Sequence, residues 1–319
     1  MIRLGTRGST LARWQADWTA ATLRSRGIDV EVVVISTSGD AVQNQSIVNI
    51  GAQGVFTKEI QQALLDGKID LAVHSLKDLP TDLVDGLTLA AVPKRESYRD
   101  VFVSNIAASP EQLPENSRIG TGSLRRQTQW LYRYGNHCRL DDIRGNVETR
   151  LRKLDNGDYH AIILAEAGLK RLGFADRIRS FLYAPDFLPA VGQGALGLET
   201  RSNDAEVIKL VESISDKDTL TAVLAERAFL RTLQGGCSAP IAALGTVADR
   251  TLTLHGRVLS DDGKQCNDET QSAAATDNPE SLGIAVAQVL LNGNAAVNTF
   301  CVKPPAPLVS EATLTRPDF

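Results

Sequence analysis

Short apolar runs alternate with amphipathic stretches from the N-terminus to about position 213, and this alternation is typical of an α/β protein. A β-branched run such as 30–35 favours a strand covered on both faces. The predicted strands are 2–5, 30–35, 69–73, 87–92, 118–121, 140–143 and 161–164, and a second α/β pattern begins at Val101. The predicted helices follow Ser9 and Ser123 or occupy 56–65, 147–154 and 169–172.

The two halves of this region share a local pattern. GTRGSTL, starting at position 5, and GTGSL, starting at position 120, each combine a strand, a polar turn and a helix. Ser9 and Ser123 are the predicted N-caps, because a serine hydroxyl accepts a hydrogen bond from the first helical turn. The sequence therefore predicts two lobes built alike. The apolar face of the first helix is predicted to be Leu11, Trp14, Trp18 and Ala21.

A third unit begins near position 215. Helices at 220–232 and 279–291 flank strands at 241–247 and 251–259, and DDG at 261–263 predicts a hairpin turn. Before it, FLPAVGQGALGLE is expected to cross back to the first sheet. We predict an α/β fold with two lobes and a cleft between them, plus a small α+β third domain. The predicted domains are 1–95 with 194–213, then 99–189, then 216–319.

Composition excludes several classes of protein. The formal net charge is −4 and the sequence pI is about 5.7, whereas a general nucleic-acid binder needs a net basic face. No apolar run approaches the roughly eighteen residues of a membrane span, and the strand-like start after Met1 differs from an export leader. We therefore expect a cytoplasmic protein. The scattered cysteines and histidines favour neither disulfides nor a metal site.

The stretch IDLAVHSLKDLP at 69–80 runs from an alternating apolar strand into polar side chains. In open α/β sheets, ligands bind beyond the carboxyl ends of the strands, so these side chains fall where chemistry is usual. Asp78 is the first candidate for a catalytic group. The alternative is that Lys77 and Asp78 cap the next element or form a surface ion pair. The polar residues of the stretch are His74, Ser75, Lys77 and Asp78.

Cationic residues follow the strands at several turns. Arg7 and Ser9 lie where a strand leads into a helix N-terminus, which suits a carboxylate or phosphate, although a cap and a solvated arginine explain them equally. A guanidinium group binds a carboxylate through two parallel hydrogen bonds. A set of cationic residues along one rim of the cleft therefore predicts a ligand with several carboxylates or phosphates. The alternative is a solvated helix face. The second-half members are Arg125, Arg126, Arg144, Arg150, Lys170 and Arg171.

Cys237 lies in the loop QGGCSAP, where glycines allow the backbone to approach another molecule closely. A lone cysteine is often an inert buried hydrophobe, and the functional alternative is a thiolate that forms a covalent bond. Its place outside both lobes suits an anchor delivered into the cleft. Lys77 is a weaker covalent candidate, because Asp78 is expected to keep its amine protonated. The polar stretch 36–54 predicts a lid, and 93–99 and 188–194 predict hinges.

Six motifs, in their order and spacing, closely resemble the porphobilinogen deaminase family, also called hydroxymethylbilane synthases. They are HSLKDLP, GTGSLRR, RGNVETR, LAEAGLKRLG, LPAVGQGALGLE and GGCSAP. The resemblance covers nearly the whole chain from position 6 onwards. It implies two lobes like those of periplasmic binding proteins and a third domain, all around a dipyrromethane cofactor. The cofactor is held by a thioether to the cysteine of GGC, which is Cys237.

The resemblance implies that four porphobilinogen molecules are joined head to tail with loss of ammonia. The linear tetrapyrrole passes to a downstream cyclising enzyme in heme biosynthesis, and the enzyme is expected to be a monomer. Loss of ammonia leaves a cationic ring, and a carboxylate that accepts its N–H stabilises it; the resemblance gives this role to Asp78. It gives cofactor contacts to Lys77, Asp78, Ser123, Arg125, Arg126, Arg144 and Cys237. It gives substrate contacts to Arg7, Ser9, Arg144, Arg150 and Arg171.

Three positions depart from the family's pattern. Asn49 and Gln53 stand where the family's lid is usually basic, and Gln234 stands where glutamate commonly precedes GGC. These differences concern lid contacts and leave the expected catalytic centre unchanged. The main alternative function is a two-lobed protein that binds small carboxylates without catalysis, since fold does not fix function. A thiol- or lysine-dependent enzyme of another pathway is the second alternative.

Overall fold

The computed structural model describes residues 1–36, 57–235 and 239–293. The predicted lid, apart from residue 36, lies outside these residues, as do Asn49, Gln53 and Cys237. In the described part of the chain, no helix is both long enough and apolar enough to span a bilayer.

The strands are β1 (Ile2–Thr6), β2 (Val30–Val34), β3 (Leu71–Ser75), β4 (Leu87–Ala91), β5 (Asp100–Ser104), β6 (Arg118–Gly120), β7 (Arg139–Asp141), β8 (Ala161–Ala165), β9 (Ser180–Leu182), β10 (Leu196–Arg201), β11 (Ile241–Ala248), β12 (Thr251–Leu259) and β13 (Cys266–Ala274). The α-helices are α1 (Thr10–Arg24), α2 (Lys58–Leu65), α3 (Leu124–Tyr134), α4 (Val147–Asp155), α5 (Glu166–Arg171), α6 (Ala205–Glu212), α7 (Lys217–Thr232) and α8 (Pro279–Gly293). A 3₁₀ helix, Leu76–Asp78, directly follows β3.

Two five-stranded sheets of the same topology define the two lobes. Lobe 1 has the strand order β2-β1-β3-β10-β4, and lobe 2 has the order β7-β6-β8-β5-β9. In each sheet four strands run in the same direction, and the fourth strand in the order, β10 or β5, runs antiparallel to both of its neighbours. The prediction of two α/β lobes built alike is confirmed.

Two segments connect the lobes. We call 92–99, between β4 and β5, the first crossing, and 183–195, between β9 and β10, the second crossing. Each crossing leads directly into the antiparallel strand of a sheet, β5 in lobe 2 and β10 in lobe 1. A change in either crossing therefore acts on the middle of a sheet rather than on its edge. The predicted domain boundaries within these segments stay a prediction.

The first helix packs on the sheet of lobe 1 through small residues. Ala16, Ala20 and Leu23 are fully buried in the lobe 1 core, whereas Trp18 and Ala21 of the predicted face are exposed. Small side chains let a helix approach a sheet closely at high packing density. The predicted apolar face is wrong at Trp18 and Ala21, whereas Leu11 and Trp14 are half-buried.

The third domain is a three-stranded antiparallel sheet, β11-β12-β13, covered by α7 and α8. The predicted helices, the first two strands and the turn are confirmed. Strand β13 was not predicted, because its sequence CNDETQSAA is largely polar and one of its faces is exposed. The buried side chains at the centre of this domain include Phe229, Ala243, Leu254 and Val286.

The third domain packs against both crossings. One apolar cluster joins Val92 and Ala195, one from each crossing, to Val223 of α7. A second cluster joins Leu188 of the second crossing and the half-buried Tyr98 of the first to β11. Both connections between the lobes are therefore in contact with the helix and strand that flank the loop containing Cys237.

Candidate functional site

The second crossing passes directly against the 3₁₀ helix that follows β3. Gly192 has φ +71°, and a Cβ added there would lie 3.2 Å from the backbone nitrogen of Lys77. The N–H of Leu76 donates to the carbonyl of Ala195 at 3.0 Å. Only glycine permits both this backbone conformation and this close approach. The second crossing therefore packs directly on the backbone of Lys77, which places Lys77 and Asp78 where the lobes are joined.

The two crossings also touch each other. Gly194 has φ +88°, and a Cβ there would come within 2.5 Å of the carbonyl oxygens of Glu96 and Ser97. The N–H of Glu96 donates to the carbonyl of Gly194 at 3.3 Å. A side chain at Gly192 would push the second crossing away from the 3₁₀ helix, and a side chain at Gly194 would separate the two crossings.

Asp78 lies at the end of the 3₁₀ helix and is exposed. Its carboxylate accepts no hydrogen bond from the described residues, so neither the capping role nor the surface ion pair of the alternative interpretation is observed there. Burial lowers the pKa of Lys77 and of Arg150 across the cleft, and the negative charge of Asp78 opposes this lowering in both. Asp78 is therefore an ionisable group of lobe 1 that faces a cation of lobe 2.

Lys77 is half-buried next to Asp78. Burial lowers the pKa of its amine from 10.5 to about 8, against the opposing effect of Asp78. The nearby Arg125 and Arg126 lower it further, whereas Asp100 raises it. Asp78 does favour the protonated amine, as expected, but burial outweighs it.

Arg125 and Arg126 lie beneath the cleft rather than on its exposed rim, with exposed fractions of 4% and 6%. Each forms an ion pair of 2.7 Å with the buried Asp100. Burial alone would raise the pKa of Asp100, but the two guanidinium groups hold it well below its usual range. Because two cations share one carboxylate, the buried cluster carries excess positive charge.

Arg144 and Arg150 come from the turn and helix after β7. Arg144 pairs with Asp142 at 2.8 Å, and Nε of Arg150 donates to the carbonyl of Gly145 at 2.8 Å. Burial, followed by repulsion from Arg126 and Arg144, lowers the pKa of Arg150 to about 10. The repulsion indicates that these arginines share one region of lobe 2, where an anion would relieve it.

Arg171 bridges the lobes. Its guanidinium donates to the carbonyl of Gly194 at 2.8 Å and lies 5.7 Å from the ring centroid of Trp14 in α1. Burial lowers its pKa to about 10. Trp14 was predicted to be a core residue of lobe 1, and the structure places it in contact with this cation of lobe 2 instead.

The two predicted N-caps differ. The hydroxyl of Ser9 accepts a hydrogen bond from the N–H of Ala12 at 3.4 Å, which confirms the cap, and the adjacent Arg7 is half-buried. Ser123 has the backbone geometry of an N-cap, but its half-buried hydroxyl accepts no capping hydrogen bond. The Ser123 hydroxyl is therefore not used by its own helix.

Two predicted residues have structural partners instead. Strand β3 ends at Ser75, two residues later than predicted, so His74 lies inside lobe 1 with its Nε2 3.0 Å from Oε2 of Glu199. Lys170 pairs with Glu166 at 3.0 Å and Glu96 at 3.1 Å. Neither side chain joins the cluster of Lys77 and the arginines.

Sequence reasoning missed Asp100, Gln193 and the contact of Trp14 with Arg171. Asp100 directly follows the predicted hinge at 93–99, and Gln193 lies between two glycines of the predicted hinge at 188–194. Neither residue has a local pattern that points to the arginines, since the contacts join positions far apart in the chain. A buried carboxylate between two cations becomes recognisable only once the sheets are assembled.

These features define a two-lobed α/β protein with a carboxylate on one side of its cleft and excess positive charge on the other. The chain belongs to the porphobilinogen deaminase family. The family model described as "Porphobilinogen deaminase, dipyromethane cofactor binding domain" matches residues 2–209. The model described as "Porphobilinogen deaminase, C-terminal domain" matches residues 220–292. The resemblance found in the six motifs is confirmed.

Curated relatives agree with the family models. The porphobilinogen deaminase of Syntrophotalea carbinolica is 48% identical over 91% of this chain and 92% of its own length. That of Geobacter sulfurreducens is 47% identical over 91% of this chain and 91% of its own length. Among solved structures, the methionine-binding protein MetQ is similar with a TM-score of 0.45 and 14% identity, covering 67% of this chain and 89% of that one.

The residues of the cleft fit the dipyrromethane cofactor that this family binds. Nε of Arg125 is buried and has no hydrogen-bond partner in the described part of the chain, and a buried donor left unpaired costs free energy. A ligand carboxylate at this edge would satisfy the donor and compensate the excess charge of the cluster. Among the described residues, Arg125 would hold such a carboxylate, and Lys77 lies near it.

Proposed function

We propose that this chain catalyses the head-to-tail condensation of four porphobilinogen molecules, with loss of ammonia at each addition, and releases hydroxymethylbilane for heme biosynthesis. The observation that carries the proposal is the exposed carboxylate of Asp78 across the cleft from buried, positively charged arginines. Family membership supports it.

Asp78 is proposed to stabilise positive charge on the substrate. When the C–N bond of the aminomethyl group breaks, ammonia leaves with the bonding electrons and a cationic methylene-pyrrole remains. A carboxylate that accepts the pyrrole N–H stabilises this cation, and it does so best when already fixed in place. The absence of hydrogen bonds to Asp78 from the described residues supports this role, because the carboxylate is available to the substrate.

The arginines are proposed to bind the acetate and propionate groups. Arg125 with Lys77 would hold the cofactor, aided by the unused hydroxyl of Ser123, and Arg126 would contribute its positive charge beside them. Arg144 is assigned to both ligands. Substrate rings would meet Arg7, Ser9, Arg150 and Arg171. Each guanidinium can bind a carboxylate through two parallel hydrogen bonds, which fixes orientation as well as position.

Cys237 is proposed to anchor the cofactor through a thioether. Its sulfur forms an S–C bond as the aminomethyl C–N bond breaks, and the thiol proton leaves with ammonia as ammonium. The bound dipyrromethane supplies a free pyrrole carbon as the first acceptor. Helix α7 ends at Thr232, five positions before Cys237, and it packs against both crossings, which supports delivery of the anchor towards the cleft.

The alternative of a two-lobed carboxylate-binding protein is not favoured, since both family models describe a deaminase. As finer parts of the proposal, we assign the enzyme to the cytoplasm as a monomer and its product to a downstream enzyme that closes the tetrapyrrole ring. The net charge of −4 supports the lack of a nucleic-acid partner.

Replacing Cys237 with serine is expected to remove the cofactor. Intact mass spectrometry of the purified wild-type protein should give an excess equal to two linked pyrrole units, because the thioether survives denaturation. Cys237→Ser should have its plain chain mass, while the control Cys266→Ser, at a half-buried cysteine of β13, should keep the excess. A wild-type protein with an unmodified mass would contradict the proposed anchor.

The lowered pKa of Lys77 is expected to make stability depend on pH. Between about pH 8, where the native amine deprotonates, and pH 10.5, the unfolded chain holds one more proton than the native protein. Stability attributable to this group therefore rises with pH across that window. In the cofactor-free Cys237→Ser protein, the free energy of unfolding in urea should rise from about pH 7 to about pH 10 relative to the same protein carrying Lys77→Met. Parallel pH profiles would contradict the lowered pKa.

A further inference from the structure

One buried carboxylate holds both arginines of the GTGSLRR motif. Asp100, the first residue of β5, is 1% exposed. Its Oδ2 accepts from Nη1 of Arg125 at 2.7 Å, and its Oδ1 accepts from Nε and Nη2 of Arg126 at 3.0 and 2.7 Å. The orientation of both guanidinium groups therefore depends on one side chain.

The two arginines are not equivalent in this arrangement. Nη1 of Arg126 also donates to the carbonyl of Ile163 at 2.9 Å, so all three of its nitrogens have protein acceptors. Arg125 uses Nη1 alone, which donates to Asp100 and to the carbonyl of Leu188 at 2.6 Å. Its buried Nε has no hydrogen-bond partner among the described residues. The Nε edge of Arg125 is thus left for a ligand, whereas Arg126 is committed to the protein.

Asp100 also ties the arginines to the second crossing. Nε2 of Gln193 donates to Oδ1 of Asp100 at 3.0 Å and to the carbonyl of Tyr98 at 2.7 Å. Five residues earlier in this crossing, the carbonyl of Leu188 accepts from Nη1 of Arg125. The orientation of the guanidinium groups is therefore set from two points of the segment that joins the lobes.

We propose that Asp100 is a positioning residue. It fixes Arg126 as a structural support and directs Nε of Arg125 towards a carboxylate of the cofactor. Through its hydrogen bond with Gln193, it also couples the orientation of both arginines to the second crossing. The inference rests on the proposed function and deepens it by separating the roles of two adjacent arginines. Asp100 acts only through the arginines and does not touch the reacting atoms.

The charge and the shape of Asp100 are both required. Asparagine keeps the shape, but it removes the charge and turns an N–H donor towards guanidinium N–H groups, which leaves Arg125 without its counter-ion. Leucine in place of Gln193 leaves all charges unchanged and removes the two hydrogen bonds of the amide, one to Asp100 and one to the carbonyl of Tyr98. The two changes therefore test the ion pair and the link to the crossing separately.

The test measures how fast cofactor-free protein acquires its cofactor. Protein produced without porphobilinogen is mixed with increasing concentrations of porphobilinogen, and its intact mass is followed with time. Glu166→Gln is the matched control, because Glu166 is an equally buried carboxylate of lobe 2 that pairs with Arg99 at 2.8 Å and contacts neither Arg125 nor Arg126. Urea unfolding of each variant reports general destabilisation.

Asp100→Asn should raise the porphobilinogen concentration for half-maximal loading by about tenfold over Glu166→Gln, and Gln193→Leu should raise it by about threefold. A purely structural role would lower stability in all three variants and leave this concentration unchanged. If Gln193→Leu and Glu166→Gln needed the same porphobilinogen concentration for half-maximal loading, the inference would be overturned even if Asp100→Asn failed to fold. A wild-type protein that gains no dipyrrole mass would instead overturn the proposed function.

Discussion

Asp78→Asn is expected to lower the turnover of porphobilinogen by about 10²–10³-fold while the protein keeps its cofactor. Asparagine has nearly the same shape as aspartate, so the 3₁₀ helix and the contacts of the second crossing with Lys77 should persist. What is lost is the negative charge that stabilises the cationic ring in the transition state. Steady-state turnover, together with the intact mass of the same preparation, checks both parts of this expectation.

Asp85→Asn is the appropriate control for this change. Asp85 is an exposed aspartate of the same lobe, outside the cleft cluster, and its amide variant should turn over porphobilinogen at the wild-type rate. If Asp78→Asn retained more than about a tenth of wild-type turnover, Asp78 would not be the central group. If it lost its cofactor as well, its main role would be in holding the cofactor.

The fold was largely predictable because its signals are local. Strand, polar turn and helix recur at positions 5 and 120, and the observed sheets repeat the same topology. Errors arose where tertiary packing decided the outcome. Helix α1 buries Ala16 and Ala20 because close approach to the sheet outweighs the area of one exposed tryptophan, Trp18. Strand β13 has one exposed face, which leaves little apolar pattern to detect.

The candidate site was predictable only in part, for a related reason. Sequence placed Lys77, Asp78 and the arginines at strand ends, and assembly of parallel strands brings such positions together. Sequence could not distinguish Arg125 from Arg126, because the distinction lies in acceptors at Ile163 and Leu188, remote along the chain. Motif spacing identifies the cations of a cleft, whereas tertiary contacts decide which of them remain available to a ligand.

A second buried carboxylate links the third domain to both crossings. Glu226 of α7 is fully buried and accepts from Nη1 of Arg95 in the first crossing at 2.6 Å. It also accepts from the N–H of Gly192 in the second crossing at 2.7 Å and from the N–H of Gly245 in β11 at 2.9 Å. Nε of Arg95 donates in turn to the carbonyl of Gln193 at 2.7 Å. Movement of either crossing must therefore be accommodated at Glu226.

Glu226→Gln is expected to destabilise the protein by about 3–5 kcal/mol, because it leaves the buried Arg95 without a counter-ion and turns an amide donor towards backbone N–H groups. Urea unfolding, followed by tryptophan fluorescence for the lobes and by circular dichroism for the whole chain, measures the loss. Glu280→Gln is the matched control: Glu280 of α8 forms an exposed pair with Arg231 at 3.4 Å, and its loss should cost at most about 1 kcal/mol. A Glu226→Gln protein as stable as the control would mean that the crossings are held by their apolar contacts with α7 and β11 alone.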